Sequence, residues 1–421
     1  MKKIILSISL SVLLVSFSFA GGFGLYEFGA ASSAMGGATV ARAWDASTVF
    51  YNPAGVAFLE GTQFYGGVTL ITAKNKFVGA LPLFDDTVHE SEDAIHTPIG
   101  IHFTHQFNED FSAGLAVTNP FGLGLAWDEE TFPGRGIAFN SDLKSFYISP
   151  VVAYKLTDEF AASVGLDVVV GTVTLERSVY PWGTENSPGA EIGTSTIDGS
   201  SSPAVGFTLG LMYQAESYGL GLSYRHSVEN KLEDADATFE FFDTPLAGFG
   251  QANLVDQKVN SSITFPSILT VGVYYKLMEN LGVEVDYQYV TWSVFDELVF
   301  DFESLPDVVV PEDYEDANEF RIGVHYDISS DLLARVGYIY DHSPQPIHSV
   351  SPLLPDNDRN DFSFGLGYSY ENWQFDAGYM YVDFGERSTL ENGVGQNENG
   401  FNGTYATIAN LFFFSFGYTL Q

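Results

Sequence analysis

The 421-residue chain contains no cysteine. Disulfide scaffolds, thiolate catalysis and cysteine-ligated metal centres are therefore excluded, as is lipid attachment to a cysteine at a processed N-terminus. Cations are scarce: 17 Lys and Arg stand against 54 Asp and Glu, for a net charge of −37. That sign excludes a nucleic-acid ligand, since phosphate neutralisation needs the opposite one. Long apolar runs are also missing. Hydrophobic residues make up 45% of the chain, yet beyond the N-terminus no stretch approaches the ~18 consecutive apolar residues of a membrane-spanning helix. Much of the acid falls in presumptive loops, at Asp85-Asp86, Asp128-Glu129-Glu130 and Glu312-Asp313-Tyr314-Glu315-Asp316. It reads as solvated loop surface, with divalent-ion bridging to anionic lipid headgroups as the alternative. No segment has EF-hand spacing, so no metal ligand is assigned and no cofactor is expected.

Glycine (42), tyrosine (23) and phenylalanine (36) are plentiful, a mixture that suits strands with an aromatic exterior. Met1-Lys2-Lys3, the apolar run Ile4 to Val15 and Ser18-Phe19-Ala20 form a secretory signal peptide over residues 1–20, leaving Gly21-Gly22-Phe23 after cleavage. Next comes a compact, mostly non-β segment over 21–61. Within it, Asp45 is placed to cap a helical turn over Ala46 to Phe50. That turn must end by Asn52, because the residue before Pro53 is driven out of the α region. Gly55 then lets the chain reverse.

From residue 62 to residue 421 the chain reads as strand. Phe320, Ile322, Val324, Tyr326 and Ile328 alternate with Glu319, Arg321, Gly323, His325 and Asp327; Phe207 to Gln214 and Leu281 to Tyr289 behave alike. Six tight polar turns, at 108–110, 157–159, 215–217, 278–280, 329–331 and 371–372, are interleaved with seven long connections. Thirteen connections give about 14 strands. Short turns on one side, long loops on the other and aromatics near strand ends, such as Tyr338, Tyr340, Tyr379 and Tyr381, describe a closed transmembrane antiparallel β-barrel. A soluble sandwich alternates too, but does not place aromatics at both strand ends. The fold class is thus all-β, a barrel of about 14 strands around an N-terminal, partly helical hatch that plugs it.

Asn52-Pro53-Ala54, with Gly22-Phe23-x-Leu25-x-Glu27-Phe28 upstream, resembles the N-terminal hatch of the long-chain fatty acid transporter (FadL/TodX) family of outer-membrane proteins. The resemblance continues through Asn119-Pro120-Phe121-Gly122, Gly134-Arg135-Gly136, Phe265-Pro266-Ser267, Asp286-Tyr287-x-Tyr289-x-x-Trp292, Pro355-Asp356-x-Asp358-Arg359 and Gly378-Tyr379-Met380-Tyr381. It implies passive uptake of hydrophobic compounds, most naturally long-chain fatty acids: capture among outer loops, transfer to a pocket near the mature N-terminus, and lateral release through a broken strand. Asn119-Pro120 and Ser149-Pro150 are the candidate breaks. Phe412, Phe414, Phe416 and Tyr418 resemble a C-terminal signal for the outer-membrane assembly machinery, although the chain ends on Gln421. Outer-membrane lipid and lipopolysaccharide are the expected surroundings, and a monomer the expected state.

Under that resemblance Asn52, Pro53 and Ala54 couple hatch to wall, and Phe23 enters the pocket. The apolar loop residues Phe121, Leu123, Leu125, Trp127, Phe132, Leu246 and Phe249 are candidates for the capture groove, since exposed patches of that kind bind partners. Cations able to meet a carboxylate headgroup are few: Arg321, Arg335, Arg225 and Lys276 face inward by parity, and Arg135 and Lys144 lie at the rim. Pairing with lumenal carboxylates such as Glu284, Asp286 and Asp376 competes with that role. Uptake of aromatic or alkane hydrocarbons is the alternative within the family. From other classes come a general porin and a barrel lipase using His342-Ser343, His102 or His105, but no ordered triad accompanies those residues.

Overall fold

A sheet with one apolar and one polar face closes on itself when lipid offers no partner for an open edge. A computed structural model describes residues 21–81, 86–180, 191–397 and 400–420 and shows that closure. The wall has 14 antiparallel strands. They are β1 Thr62–Gly79, β2 Ile99–Gln106, β3 Phe111–Thr118 continued as Gly122–Ala126, β4 Asn140–Thr157 and β5 Phe160–Val179. β6 runs Gly193–Ser200 and Ala204–Gln214, β7 Tyr218–Arg225 and Val228–Phe241, and β8 Gln257–Phe265 and Ile268–Met278. β9 Leu281–Val290, β10 Ala317–Asp327, β11 Leu332–Asp341, β12 Arg359–Tyr370, β13 Trp373–Ser388 and β14 Gly403–Leu420 complete the circuit. β14 returns to β1 in an unbroken register from Thr62↔Leu420 to Gly79↔Gly403, which abolishes the edge. All six tight turns lie between strands at one end, as the sequence predicts.

The outward set is apolar. Phe320, Ile322 and Tyr326 are exposed while Arg321 and His325 between them are buried, and Phe412, Phe414 and Phe416 on β14 alternate with buried Leu411 and Phe413. Inward cations meet carboxylates: Arg321 with Glu319 at 2.7 Å, Arg335 with Asp376 at 2.6 Å, and Arg225 with Asp167. These three arginines inside the wall are thus neutralised by carboxylates of their own strand or of the next strand but one, as a low-dielectric setting requires.

Residues 21–59 lie against the inner face. Helix α1 (Ala30–Ala34) packs on β11 to β14, and the 3-10 turn Pro53–Phe58 packs on β3 to β6. Wall carboxylates satisfy backbone donors that have no partner of their own: Thr39 N–H donates to Asp286 Oδ2 (2.9 Å) and Ala41 N–H to Glu284 Oε1 (2.5 Å). The predicted helix begins later than expected. Helix α2 spans Thr48–Tyr51 with Ser47 at its N-cap, while Asp45 Oδ1 accepts the Ser47 N–H (2.8 Å) and organises the turn before it. Its end is where proline chemistry puts it, for Asn52 is extended (φ −149°, ψ 98°).

Candidate functional site

The site is built around a strand whose pairing on one side is broken. Pro120 has no N–H, and the β2–β3 ladder stops at Ile101↔Val117. Beyond it, β3 resumes at Gly122 and pairs with β4 alone (Gly122↔Lys144 to Ala126↔Asn140). Asn119 fixes the kink from both sides, accepting the Ile99 N–H (3.1 Å) and donating to Ser145 O (2.8 Å). The freed backbone groups turn inward: Leu25 N–H donates to Pro120 O (2.8 Å) and Gly122 N–H to Phe23 O (3.0 Å). Among the described residues no ladder joins Ala94–Pro98 to Asn119–Leu125, so the wall has a window there, backed by Phe23 to Leu25.

Phe23 closes a ring of aromatic side chains, with centroids 4.6 Å from Trp292, 5.6 Å from Phe295, 6.2 Å from Phe121 and 6.4 Å from Phe265. All four contacts are edge-on, the geometry favoured by the ring quadrupoles. Gly22 makes the approach possible. Its φ is +67°, and a Cβ there would lie 2.7 Å from the Trp292 ring. Tyr314, from the outer connection before β10, caps the cluster against Phe295 (5.0 Å) and Trp292 (5.9 Å). Its neighbour Glu312 is buried with Oε2 finding no hydrogen-bond partner among the described residues, and burial, reinforced by Asp313, pushes its carboxyl up to about 8.

Behind the window lies a cavity of about 650 Å³. Its wall is apolar along Phe23, Leu25, Ile71, Phe121, Leu123 and Leu411, and polar at one pole where Asp356, Arg359 and Asp361 meet. Arg359 holds Asp341 at 2.8 Å. At the window the lining passes through Ile95 to Ile99 to Phe146, an exposed residue of the outward set, and Lys144 stands beside that mouth. His96 reaches across the window toward Gly124, whose Cβ would fall 2.1 Å from the imidazole. An amphipathic cavity in the size range of small-ligand sites, open toward the apolar belt, can hold a hydrophobic molecule with a polar end.

A second cavity, of about 680 Å³, sits among the outer connections. Leu175, Val179, Leu254, Phe300, Phe302 and Val308 give it an apolar lining.

The residues nominated for a capture groove divide three ways. Phe121, Leu123 and Leu125 line the inner cavity. Trp127 and Phe132 stack on each other at 4.3 Å and bury against Phe77 and Phe401, so they form a loop core and not an exposed groove. Leu246 is half-buried beside helix α3 (Ala247–Asn253) and lines neither cavity; the side chain of Phe249 lies outside the described residues. Arg135 pairs with Glu191 (3.1 Å) and Lys144 with Asp142 (2.8 Å). Arg321 and Arg335 are held by Glu319 and Asp376 and do not line the large inner cavity. Asn52 joins segment to wall: Nδ2 donates to Val40 O (2.7 Å) and Leu211 O (3.1 Å) while Oδ1 accepts the Ala54 N–H (3.2 Å). Pro53 and Ala54 are buried beside it. His342 pairs with Asp358, and Ser343 Oγ donates to Asp356 (2.7 Å), so the two do not form a dyad. The signal-peptide reading and Gln421 fall outside the described residues.

Sequence reasoning passed over Arg359, Trp292 and Phe265. All three stand in stretches that carry the family resemblance, and an arginine flanked by acids near a strand start was the available sign for Arg359.

The chain matches the family model "Outer membrane protein transport protein (OMPP1/FadL/TodX)" over residues 11–420. It is 24% identical over 420 residues to a long-chain fatty acid transport protein of Escherichia coli O6:H1, covering 92% of this chain and 93% of that one. It is 23% identical over 379 residues to outer membrane protein P1 of Haemophilus influenzae, covering 80% of each. A Pseudomonas aeruginosa FadL homologue shares its fold, with a TM-score of 0.83 and 18% identity over 95% of this chain and 100% of that one. The P. putida toluene transporter TodX does so with a TM-score of 0.72 and 17% identity over 94% and 99%. These relatives are transport proteins and not enzymes. With the match extending over nearly its whole length, the chain belongs to the OMPP1/FadL/TodX family of outer-membrane transport proteins.

Proposed function

We propose that this protein takes up hydrophobic compounds passively across the outer membrane, with long-chain fatty acids as its principal cargo. Residues 1–20 serve as the signal peptide, 21–61 as the hatch and 62–421 as the barrel. One observation supports the reading above all: the 650 Å³ amphipathic cavity is walled by Phe23 and Leu25 and opens at the broken strand. A fatty acid gains about 0.8 kcal/mol per buried CH₂. A path from the outer-loop cavity to the inner one keeps that gain while crossing a polar surface, and the pole at Arg359 suits the headgroup. Phe23 and Leu25 also carry the hydrogen bonds of Pro120 and Gly122. Ligand that displaces this segment therefore loosens the window at the same time. Asn52 holds the rest of the hatch to β6. The surroundings are lipid and lipopolysaccharide, the barrel is inserted by the assembly machinery, and the working unit is a monomer.

Arg359 is already paired with Asp341, which favours a second reading: an uncharged aromatic or alkane. Purified protein in detergent separates the two. Displacement of a fluorescent fatty acid by oleate but not by toluene supports the first; displacement by toluene alone supports the second. Steady large conductance in planar bilayers without ligand binding would instead identify a general porin.

A further inference from the structure

We propose that the outer wall of the barrel carries a lipid-phosphate site: Lys74 and Lys76 on β1, beside Ile95 and Ile408, seat the phosphorylated end of an outer-leaflet glycolipid, the lipid A part of lipopolysaccharide.

The outward positions of β1 and β14 change character along the strands. Phe416, Phe414 and Phe412 on β14 are exposed and apolar. The next outward position is Asn410, whose side chain accepts the Tyr379 hydroxyl (2.7 Å) and which lies opposite Thr72 on one side and Tyr381 on the other. A polar step flanked by tyrosines marks the upper limit of the apolar belt. Lys74, opposite Ile408, and Lys76, opposite Ala406, occupy the next two outward positions of β1. Successive same-face residues of a strand stand ~7 Å apart, a spacing at which two ammoniums flank one phosphate. With only 17 Lys and Arg against 54 Asp and Glu in the chain, two lysines at consecutive outward positions, at headgroup height, point to an anionic partner there.

The connection between β1 and β2 shapes the site. It bonds β1 at two points, Ser91 N–H to Asn75 O (2.8 Å) and His96 N–H to Ile71 O (2.9 Å). Between them Asp93, Ala94 and Ile95 bow outward and enclose, with the faces of β1 and β14, a groove of about 620 Å³. Ile95 is 66% exposed and Ile408 43%, which gives an acyl chain an apolar rest beside the two cations. Lys74 Nζ donates to Ser91 O (3.2 Å) and pairs with Asp93 (3.0 Å), while Lys76 pairs with Glu90 (3.0 Å). These bonds hold both side chains over the groove. The acids are themselves exposed, Asp93 almost fully, and such pairs contribute little. A phosphate, with up to two charges and three acceptor oxygens, competes with them, and attraction to an anionic lipid surface adds to its advantage. The site lies outside the lumen and is independent of which compound is carried.

The test uses full-length protein purified from outer membranes in non-ionic detergent. It is titrated with bisphosphorylated lipid A and with the same lipid stripped of its phosphates, and native mass spectrometry counts the lipid retained. Wild type is expected to hold one bisphosphorylated lipid A per barrel and to bind the stripped lipid at least about tenfold more weakly, ~1.4 kcal/mol. The double variant Lys74→Gln, Lys76→Gln should lose affinity for the bisphosphorylated lipid by a similar factor. The control Lys231→Gln, Lys258→Gln, which removes two exposed lysines paired with Glu229 and Asp236, should bind as wild type does. No one-to-one complex with wild type, equal binding of the two lipids, or undiminished binding by the Lys74, Lys76 variant overturns the proposal. So does an equal loss in the control, which would reduce the effect to net charge. Should the Lys74, Lys76 variant fail to fold, Ile408→Glu decides by placing a carboxylate in the groove: a tenfold loss upholds the site, and unchanged affinity refutes it.

Discussion

Phe23→Ala is the perturbation that bears hardest on the link between the N-terminal segment and the wall. The ring is 5% exposed and makes four edge-on aromatic contacts. Truncating a buried phenylalanine costs ~3–5 kcal/mol, of which aromatic pairs supply ~0.5–1.5 kcal/mol each. That cost falls on docking of the N-terminal segment and not on the barrel, whose wall is closed by backbone ladders that Phe23 does not join. The Leu25 to Pro120 and Gly122 to Phe23 hydrogen bonds are then expected to break with the docking. Hydrogen exchange should show faster amides at Gly22 to Leu25 and at Gly122, with β1 and β14 unchanged, and oleate affinity should fall by ten-fold or more, at 1.4 kcal/mol per decade. Unchanged exchange at Gly122 together with faster exchange at Gly22 to Leu25 would refute the coupling. Unchanged exchange at both would refute the energetic role of the ring.

Two further outcomes follow from the same structure. Asn52→Ala leaves the buried carbonyl of Val40 without the Asn52 donor, at ~1–3 kcal/mol for that stranded group, and removes the part-buried link to Leu211 O on the wall. Limited proteolysis of folded protein should then cut within residues 36–51, where wild type resists. Glu312 is protonated in the folded loop up to about 8, whereas an exposed glutamate loses its proton near 4.3. A carboxyl raised on folding contributes its stability fully at low pH and loses it as pH climbs from the unfolded toward the folded value, at ~1.4 kcal/mol per pH unit. Protection factors at Glu312 to Tyr314, exchange rates corrected for the base-catalysed intrinsic rate, should therefore fall from pH 5 to pH 8 in wild type and stay flat in Glu312→Gln.

Much of the fold was legible because period-2 alternation is a local property. Phe320 to Ile328 declares which face is apolar without reference to any partner strand, and each tight turn, such as Asn108-Glu109-Asp110, is complete within three residues. Asn119-Pro120 was legible as a break for the same reason: the missing N–H belongs to proline itself. The site was harder. Trp127 and Phe132 looked like exposed apolar loop residues, yet Phe77 and Phe401, some fifty and 270 residues away in sequence, bury them. The ring around Phe23 gathers residues from the N-terminus, β3, β8 and the connection after β9. No window of sequence contains that cluster, and Arg359 lines the cavity beside Gly22 and Phe23, more than 330 residues before it in the chain.

The most direct measurement is uptake of labelled oleate by cells that lack this chain, that carry it, and that carry Gly122→Leu. Gly122 lines the window, where an added Cβ would lie 3.3 Å from Leu25 Cδ1 and 3.4 Å from Leu143 O, so a leucine there crowds Leu25 and obstructs the mouth. Oleate should enter faster with the wild-type chain and fall back toward the level of cells lacking it with Gly122→Leu, at equal amounts of folded barrel in the outer membrane. Equal uptake in all three strains, or full uptake through the filled window, would contradict lateral delivery from the inner cavity.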